Sequence, residues 1–161
     1  MATTDPNLFS IDTGILKKDA CVVIFRTEWN DSIVGKMEEG CRNILDQYGV
    51  RHKVIMVPGA FELPFGIKSY WENTETKPDA FIALGCVVRG GTPHFEYVSK
   101  AVTDGILQLN LLLRVPVIFG VLTVDNDQQA EERTGGIHGH KGEEAALTAL
   151  KMIGLNSTQQ P

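Results

Sequence analysis

A three-layer α/β/α sandwich on a four-stranded parallel sheet is the fold this sequence predicts, and three observations predict it. Short apolar runs of strand length alternate with longer runs whose apolar residues recur at helical spacing. Turn-forming glycine, proline, asparagine or aspartate stands after most of the apolar runs, where a strand must hand over to a helix. The length of 161 residues, with 43% hydrophobic and 22% charged content, suits one soluble domain over residues 1–161.

The elements follow in order. Residues 1–18 are polar, carry Pro6 and Gly14, and read as an arm outside the core. Ala20 to Phe25 is a short apolar strand, and Ile33, Met37, Cys41, Ile44 and Leu45 mark the helix after it. Lys53 to Val57 is the second strand. A helix from around Phe61 to Trp71 follows, with Pro64 tolerated in its opening turn. Asp79 to Val88 is the third strand, a nearly continuous apolar run of the kind expected when both faces are covered. Val98, Val102, Ile106, Leu109 and Leu113 form the stripe of the third helix. Val115 to Val124 is the fourth strand, with Pro116 near its start. Helical segments near 127–134 and 143–153 close the chain, parted by the glycine-rich stretch 135–142 and followed by a tail at 154–161. This alternation predicts a flavodoxin-like topology with right-handed crossovers and helices on both faces of the sheet.

Several classes of function are excluded. The formal charge of −5 comes without a dense basic patch, which argues against a nucleic-acid partner. No apolar run approaches the ~20 residues of a membrane span. The start Met1-Ala2-Thr3-Thr4-Asp5-Pro6 lacks the basic and apolar regions of a secretory signal. Cys21, Cys41 and Cys86 lie in apolar settings without Cys-x-x-Cys spacing, so reduced core thiols and the cytoplasm are expected.

Ligands of open parallel sheets bind beyond the carboxyl ends of the strands. Four segments fall there: Thr27-Glu28-Trp29-Asn30, Pro58-Gly59-Ala60-Phe61-Glu62, Arg89 to His94, and Thr123-Val124-Asp125-Asn126. In the third, Gly90-Gly91 turns the chain, Thr92 suits a helix N-cap and Pro93 the first helical position. Free N–H groups and the helix dipole favour an anion there, and His94 in the first turn adds a titratable group. No Gly-Lys-Ser/Thr follows the glycines and no Gly-x-Gly-x-x-Gly occurs, so neither nucleotide-binding loop is present. Trp29 offers a π-face or serves as an edge aromatic. Glu62 can bind hydroxyl groups or simply cap its own helix. Arg133 can fork a phosphate or pair along a helix face. His138 and His140 are too few for a metal site without a third clustered ligand.

The chain resembles the lumazine synthase family over residues 20–153. The resemblance rests on Trp29-Asn30, on Pro58-Gly59-Ala60-Phe61-Glu62-Leu63-Pro64, and on Gly85-Cys86-Val87-Val88-Arg89-Gly90-Gly91-Thr92-Pro93-His94-Phe95-Glu96. It extends to Pro116 through Thr123, to Arg133, and to His138 through Ala145. It implies condensation of 5-amino-6-(D-ribitylamino)uracil with 3,4-dihydroxy-2-butanone 4-phosphate, without cofactor or metal. By the same resemblance His94 moves protons, Trp29 stacks on the pyrimidine, and Asn30, Gly59, Ala60, Phe61 and Glu62 meet the ribityl chain. Val87 and Val88 frame the pyrimidine through backbone atoms. Gly91, Thr92 and Arg133 hold the phosphate, and Phe119, Arg133, Lys141 and Glu144 come to the site from a neighbouring subunit. The resemblance further implies rings of five, packed in some members as a sixty-subunit shell, with riboflavin synthase as a protein partner. The short link from Arg133 to Lys141 favours the shell. The sequence departs from the family at Gly91, where alanine or serine is common, and at His140, where asparagine is common. Against this stand a binding-only relative, a flavodoxin-type phosphate or flavin module, and a scaffold protein. Retention of His94, Arg133 and Lys141 together argues against the binding-only relative.

Overall fold

The computed structural model describes residues 11, 12 and 16–159. The expectations for Pro6, Gly14 and the last two residues lie outside the described residues. The elements are β1 (Cys21–Thr27), α1 (Asp31–Gln47), β2 (Arg51–Val57), a 3-10 turn (Ala60–Glu62), α2 (Leu63–Asn73), β3 (Ala80–Val88), α3 (His94–Leu112), β4 (Val117–Val124), α4 (Asp127–Glu132), β5 (Thr134–Gly136), β6 (Gly139–His140) and α5 (Lys141–Thr158). The main sheet is parallel and four-stranded, in the order β2-β1-β3-β4. The expected α/β/α sandwich is therefore the observed fold.

Side-chain alternation along the strands builds two cores. Val22, Ile24, Ile82 and Leu84 point to the face covered by α1 and α5, where they meet Met37, Cys41, Leu45 and Leu150. Val23, Phe25, Phe81 and Ala83 point to the opposite face, where α2 and α3 supply Leu63, Ile67, Val102 and Ile106. Tyr70 packs edge-on against both Phe25 and Phe81 at centroid distances of 6.0 Å, and those two rings meet each other tilted at 6.2 Å. Helices α2 and α3 approach closely at Gly105, where a Cβ would sit 2.5 Å from Cγ of Pro64. These layers fix the carboxyl ends of four strands on one edge.

The structure corrects several expected boundaries. Strand β1 continues through Arg26 and Thr27, polar residues that are nonetheless buried. Arg26 can be buried because its guanidinium pairs with both Asp31 and Glu38. Burial works against its charge, but the two carboxylates outweigh that and raise its pKa. Strand β2 begins at Arg51 rather than Lys53, because an edge strand with alternating exposure can carry polar residues. Strand β4 begins at Val117, two residues later than expected, since Pro116 stands before it. Helix α5 runs through Thr158, across residues expected as a tail. The glycine-rich stretch contains an antiparallel pairing of β5 with β6, with Gly135 and Gly139 at positive φ. Ile11 and Leu16, in the expected arm, pack against the α1/α5 core.

Cys21 is partly exposed, while Cys41 and Cys86 are buried, and all three are free. Burial pushes the Cys41 thiol up to about 12 and the Cys86 thiol up to about 11, so both remain protonated at neutral pH. Among the described residues no helix is long and apolar enough to cross a membrane.

Candidate active site

A cleft of about 440 Å³ opens at the carboxyl edge of the sheet. It is lined by Thr27, Trp29, Asn30, Ala60, Phe61, Glu62, Cys86, Val87, Val88, His94 and Val98. Three segments named from the sequence thus converge on one cavity. The apolar walls suit a planar ring, and the few polar groups are placed to orient it.

Each wall is built by local chemistry. Trp29 follows β1 and is 65% exposed, although its backbone is held: its N–H donates to the Pro58 carbonyl at 3.0 Å. The buried Thr27 hydroxyl donates to the Trp29 carbonyl at 3.0 Å. Asn30 adopts a left-handed conformation (φ 59°) as the N-cap of α1, a region asparagine tolerates better than most residues. Its Nδ2 donates to the Cys86 carbonyl at 2.8 Å, which ties the β1 corner to β3 and leaves Oδ1 outside that bond.

The indole lies against Gly59. A Cβ at that position would sit 2.6 Å from Cε3 and 2.7 Å from Cζ3 of Trp29. The Gly59 N–H donates to Glu62 Oε2 at 3.1 Å, so the capping role open to Glu62 is realised. The same carboxylate remains part of the cleft wall. Capping and ligand contact are compatible, because a carboxylate has two oxygens.

The turn before α3 differs from expectation by one position. The helix begins at His94, with Pro93 as N-cap, and no side chain caps it. The Pro93 backbone (ψ 1°) is not helical, and its carbonyl accepts the Glu96 N–H at 3.1 Å. Thr92 therefore precedes the cap, exposed like Gly91 and His94. Among the described residues the N–H groups of Gly91, Thr92 and His94 have no backbone acceptor. Neither Gly90 nor Gly91 has a positive φ, and a Cβ on either would meet nothing within 4 Å.

The remaining candidates lie outside this cleft. Phe119 sits on the edge strand β4 and is exposed at 40%. Arg133 is the C-cap of α4, and its guanidinium has no ion pair among the described residues. Lys141 and Glu144 pair with each other at 2.7 Å in the first turn of α5. His140 caps α5, its Nδ1 accepting the Glu143 N–H at 3.4 Å. His138 instead approaches Glu132 at 3.8 Å. Among the described residues there is no group of three or more potential metal ligands. Thr27, Cys86 and Val98 also line the cleft, although the sequence gives none of them a role there. Thr27 and Cys86 fall within segments singled out at the strand ends, while Val98 reads only as part of the helix stripe.

Two glycine substitutions separate the roles of the turns. Gly59→Ala is expected to displace the indole and lower kcat/KM by about 10–100-fold. Gly91→Ala is expected to stabilise the fold by about 0.4–1 kcal/mol, since it restricts the unfolded chain at a compatible site. Steady-state kinetics and thermal denaturation check the pair; a fully active Gly59→Ala variant would detach the indole from the reaction.

A family model described as 6,7-dimethyl-8-ribityllumazine synthase matches residues 19–157. The 6,7-dimethyl-8-ribityllumazine synthase of Parabacteroides distasonis is 47% identical over 162 residues, covering 98% of this chain and 100% of that protein. The protein of the same description from Porphyromonas gingivalis is 49% identical, covering 96% and 98%. That from Cytophaga hutchinsonii is 44% identical, covering 95% and 98%.

Proposed function

This chain belongs to the 6,7-dimethyl-8-ribityllumazine synthase family, and we propose that it joins 5-amino-6-(D-ribitylamino)uracil to 3,4-dihydroxy-2-butanone 4-phosphate in riboflavin biosynthesis. The observation that carries the substrate reading is the cleft itself. It combines an accessible indole face, the polar pair Asn30 and Glu62, and His94 beside a turn of free N–H groups.

In this reading the pyrimidine stacks on Trp29 between the walls made by Val87 and Val88. Asn30, Glu62 and the Gly59–Phe61 backbone meet the ribityl hydroxyls. The phosphate lies at Gly91 and Thr92. The 5-amino nitrogen adds to the ketone carbon to form a carbinolamine, which loses water to an imine. A proton then leaves the adjacent carbon as the C–O bond to phosphate breaks, giving an enol. The enol tautomerises to a carbonyl, on which the ribitylamino nitrogen closes the second ring with loss of water. His94 takes and returns protons in these steps, and alignment of the two reactants supplies much of the acceleration. No covalent enzyme intermediate is needed.

Phe119, Arg133, Lys141 and Glu144 enter the reading as groups given to a neighbouring copy's cleft, within a ring of five. Support comes from their position outside this chain's own cleft. The Arg133 guanidinium, without an ion pair among the described residues, would close the phosphate end of that neighbouring site. The short link from Arg133 to Lys141 favours packing of rings into a shell. Riboflavin synthase, which consumes the lumazine, is the proposed protein partner. The cytoplasm is the proposed compartment, in keeping with three free thiols.

The direct test is incubation of purified protein with both substrates. Fluorescent lumazine and stoichiometric phosphate are expected, and phosphate release should require the uracil. Release no faster than the spontaneous reaction would leave a binding protein in place of an enzyme.

A further inference from the structure

Arg89 begins the turn between β3 and α3, and its backbone N–H donates to the Val124 carbonyl at 2.8 Å. Its side chain joins two loops of the sheet's carboxyl edge. Nε donates to Asp125 Oδ1 at 2.7 Å, at the end of β4. Nη1 donates to Glu96 Oε1, in the first turn of α3. The guanidinium carbon lies 4.1 Å from the centre of the Phe95 ring, so the planar cation is held on one face as well as two edges.

These pairs are solvent-exposed, with side-chain exposures of 42% for Arg89, 54% for Glu96 and 60% for Asp125. Exposed pairs of this kind add little to stability, so the fold does not explain the arrangement. Its location does. The two carboxylates belong to the segments that flank Gly90-Gly91-Thr92, where the free N–H groups favour an anion. Unpaired, they would place two negative charges beside a phosphate dianion. Arg89 cancels one charge of the two and fixes where both carboxylates sit.

We propose that Arg89 is a positioning residue for the anion-binding turn, holding Glu96 and Asp125 on its guanidinium and masking their charge from a bound phosphate. This rests on the reading that Gly91 and Thr92 bind the ketone phosphate. The hydrogen bond from Arg89 keeps the Glu96 carboxyl below its ordinary range, so the arrangement persists well into mild acid.

The test is a set of three variants with inorganic phosphate as the probe. Arg89→Gln should raise the phosphate inhibition constant and the KM for the ketone phosphate by about 3–10-fold, and high salt should shrink that rise. Its kcat and its KM for the uracil should stay within about twofold, the spread expected where no direct contact is lost. Removing the carboxylates as well, in Arg89→Gln/Glu96→Gln/Asp125→Asn, should restore phosphate affinity. Glu96→Gln/Asp125→Asn alone should tighten phosphate binding, and this variant serves if Arg89→Gln folds poorly. A purely structural Arg89 predicts a triple variant as impaired as the single one, and that result would overturn the proposal. So would unchanged phosphate affinity in both Arg89→Gln and Glu96→Gln/Asp125→Asn. If inorganic phosphate fails to compete with the ketone phosphate even in the parent protein, the phosphate reading of the turn falls first, and the role of Arg89 falls with it.

Discussion

Replacing His94 by alanine is expected to slow turnover by ~10²–10⁴-fold while leaving phosphate affinity nearly unchanged. His94 is exposed at the head of α3 and lines the cleft, so it can reach a ligand without first leaving a packed site. An imidazole can both accept and donate a proton, which suits it to a transfer role in the cleft. The expected ceiling reflects the rest of the site: Trp29, Glu62 and the turn still bring two reactants together when the proton carrier is gone. Arg133→Ala should fail differently, raising the KM for the ketone phosphate and weakening inorganic phosphate more than it lowers kcat. Steady-state kinetics with a phosphate competition assay separate the two. Equal loss of binding for both substrates in the His94 variant would make that side chain a packing element of the cleft.

The contrast between what the sequence disclosed and what it hid follows from the range of the interactions. Strands β1 and β3 were legible because both faces are covered, so their apolar runs are continuous. The ends of β1 were not, because the buried Arg26 reads as polar until its partners Asp31 and Glu38 are brought up by α1. The pairing of β5 with β6 has no alternation to detect, since its backbone is set by Gly135 and Gly139. Within the site, Trp29, Glu62 and His94 stood out through residue type and position at strand ends. The bond from Asn30 to the Cys86 carbonyl spans 56 positions, and the pair of Arg89 with Asp125 spans 36. Contacts of that separation exist only once the sheet order is known. The turn at Thr92-Pro93 shows a smaller limit: residue preferences placed the helix start correctly to within one residue, which is the usual uncertainty of helix ends.

Mixing two inactive variants is expected to restore activity if the proposed site is shared between copies. Trp29, Glu62 and His94 line this chain's cleft, while Phe119, Arg133, Lys141 and Glu144 do not. A phosphate held at Gly91 and Thr92 would then have no cation from Arg133 until a second copy docks. Activity and association are therefore linked, and dilution below the association threshold should abolish turnover. In the test, Trp29→Ala/His94→Ala chains and Arg133→Ala/Lys141→Ala chains are unfolded together and reassembled. Each variant alone should be inactive, because every interface lacks one half of the site. In a mixed ring, an interface with the intact first half of one chain and the intact second half of its neighbour recovers a complete site. At equal mixing about one interface in four has that combination, so recovery near a quarter of parent activity is the expected ceiling. Sedimentation of the same samples reports whether mixed assemblies formed and whether their mass is that of five chains or of a shell. Mixed assemblies of the right mass that stay as inactive as either parent would place the whole site within one chain.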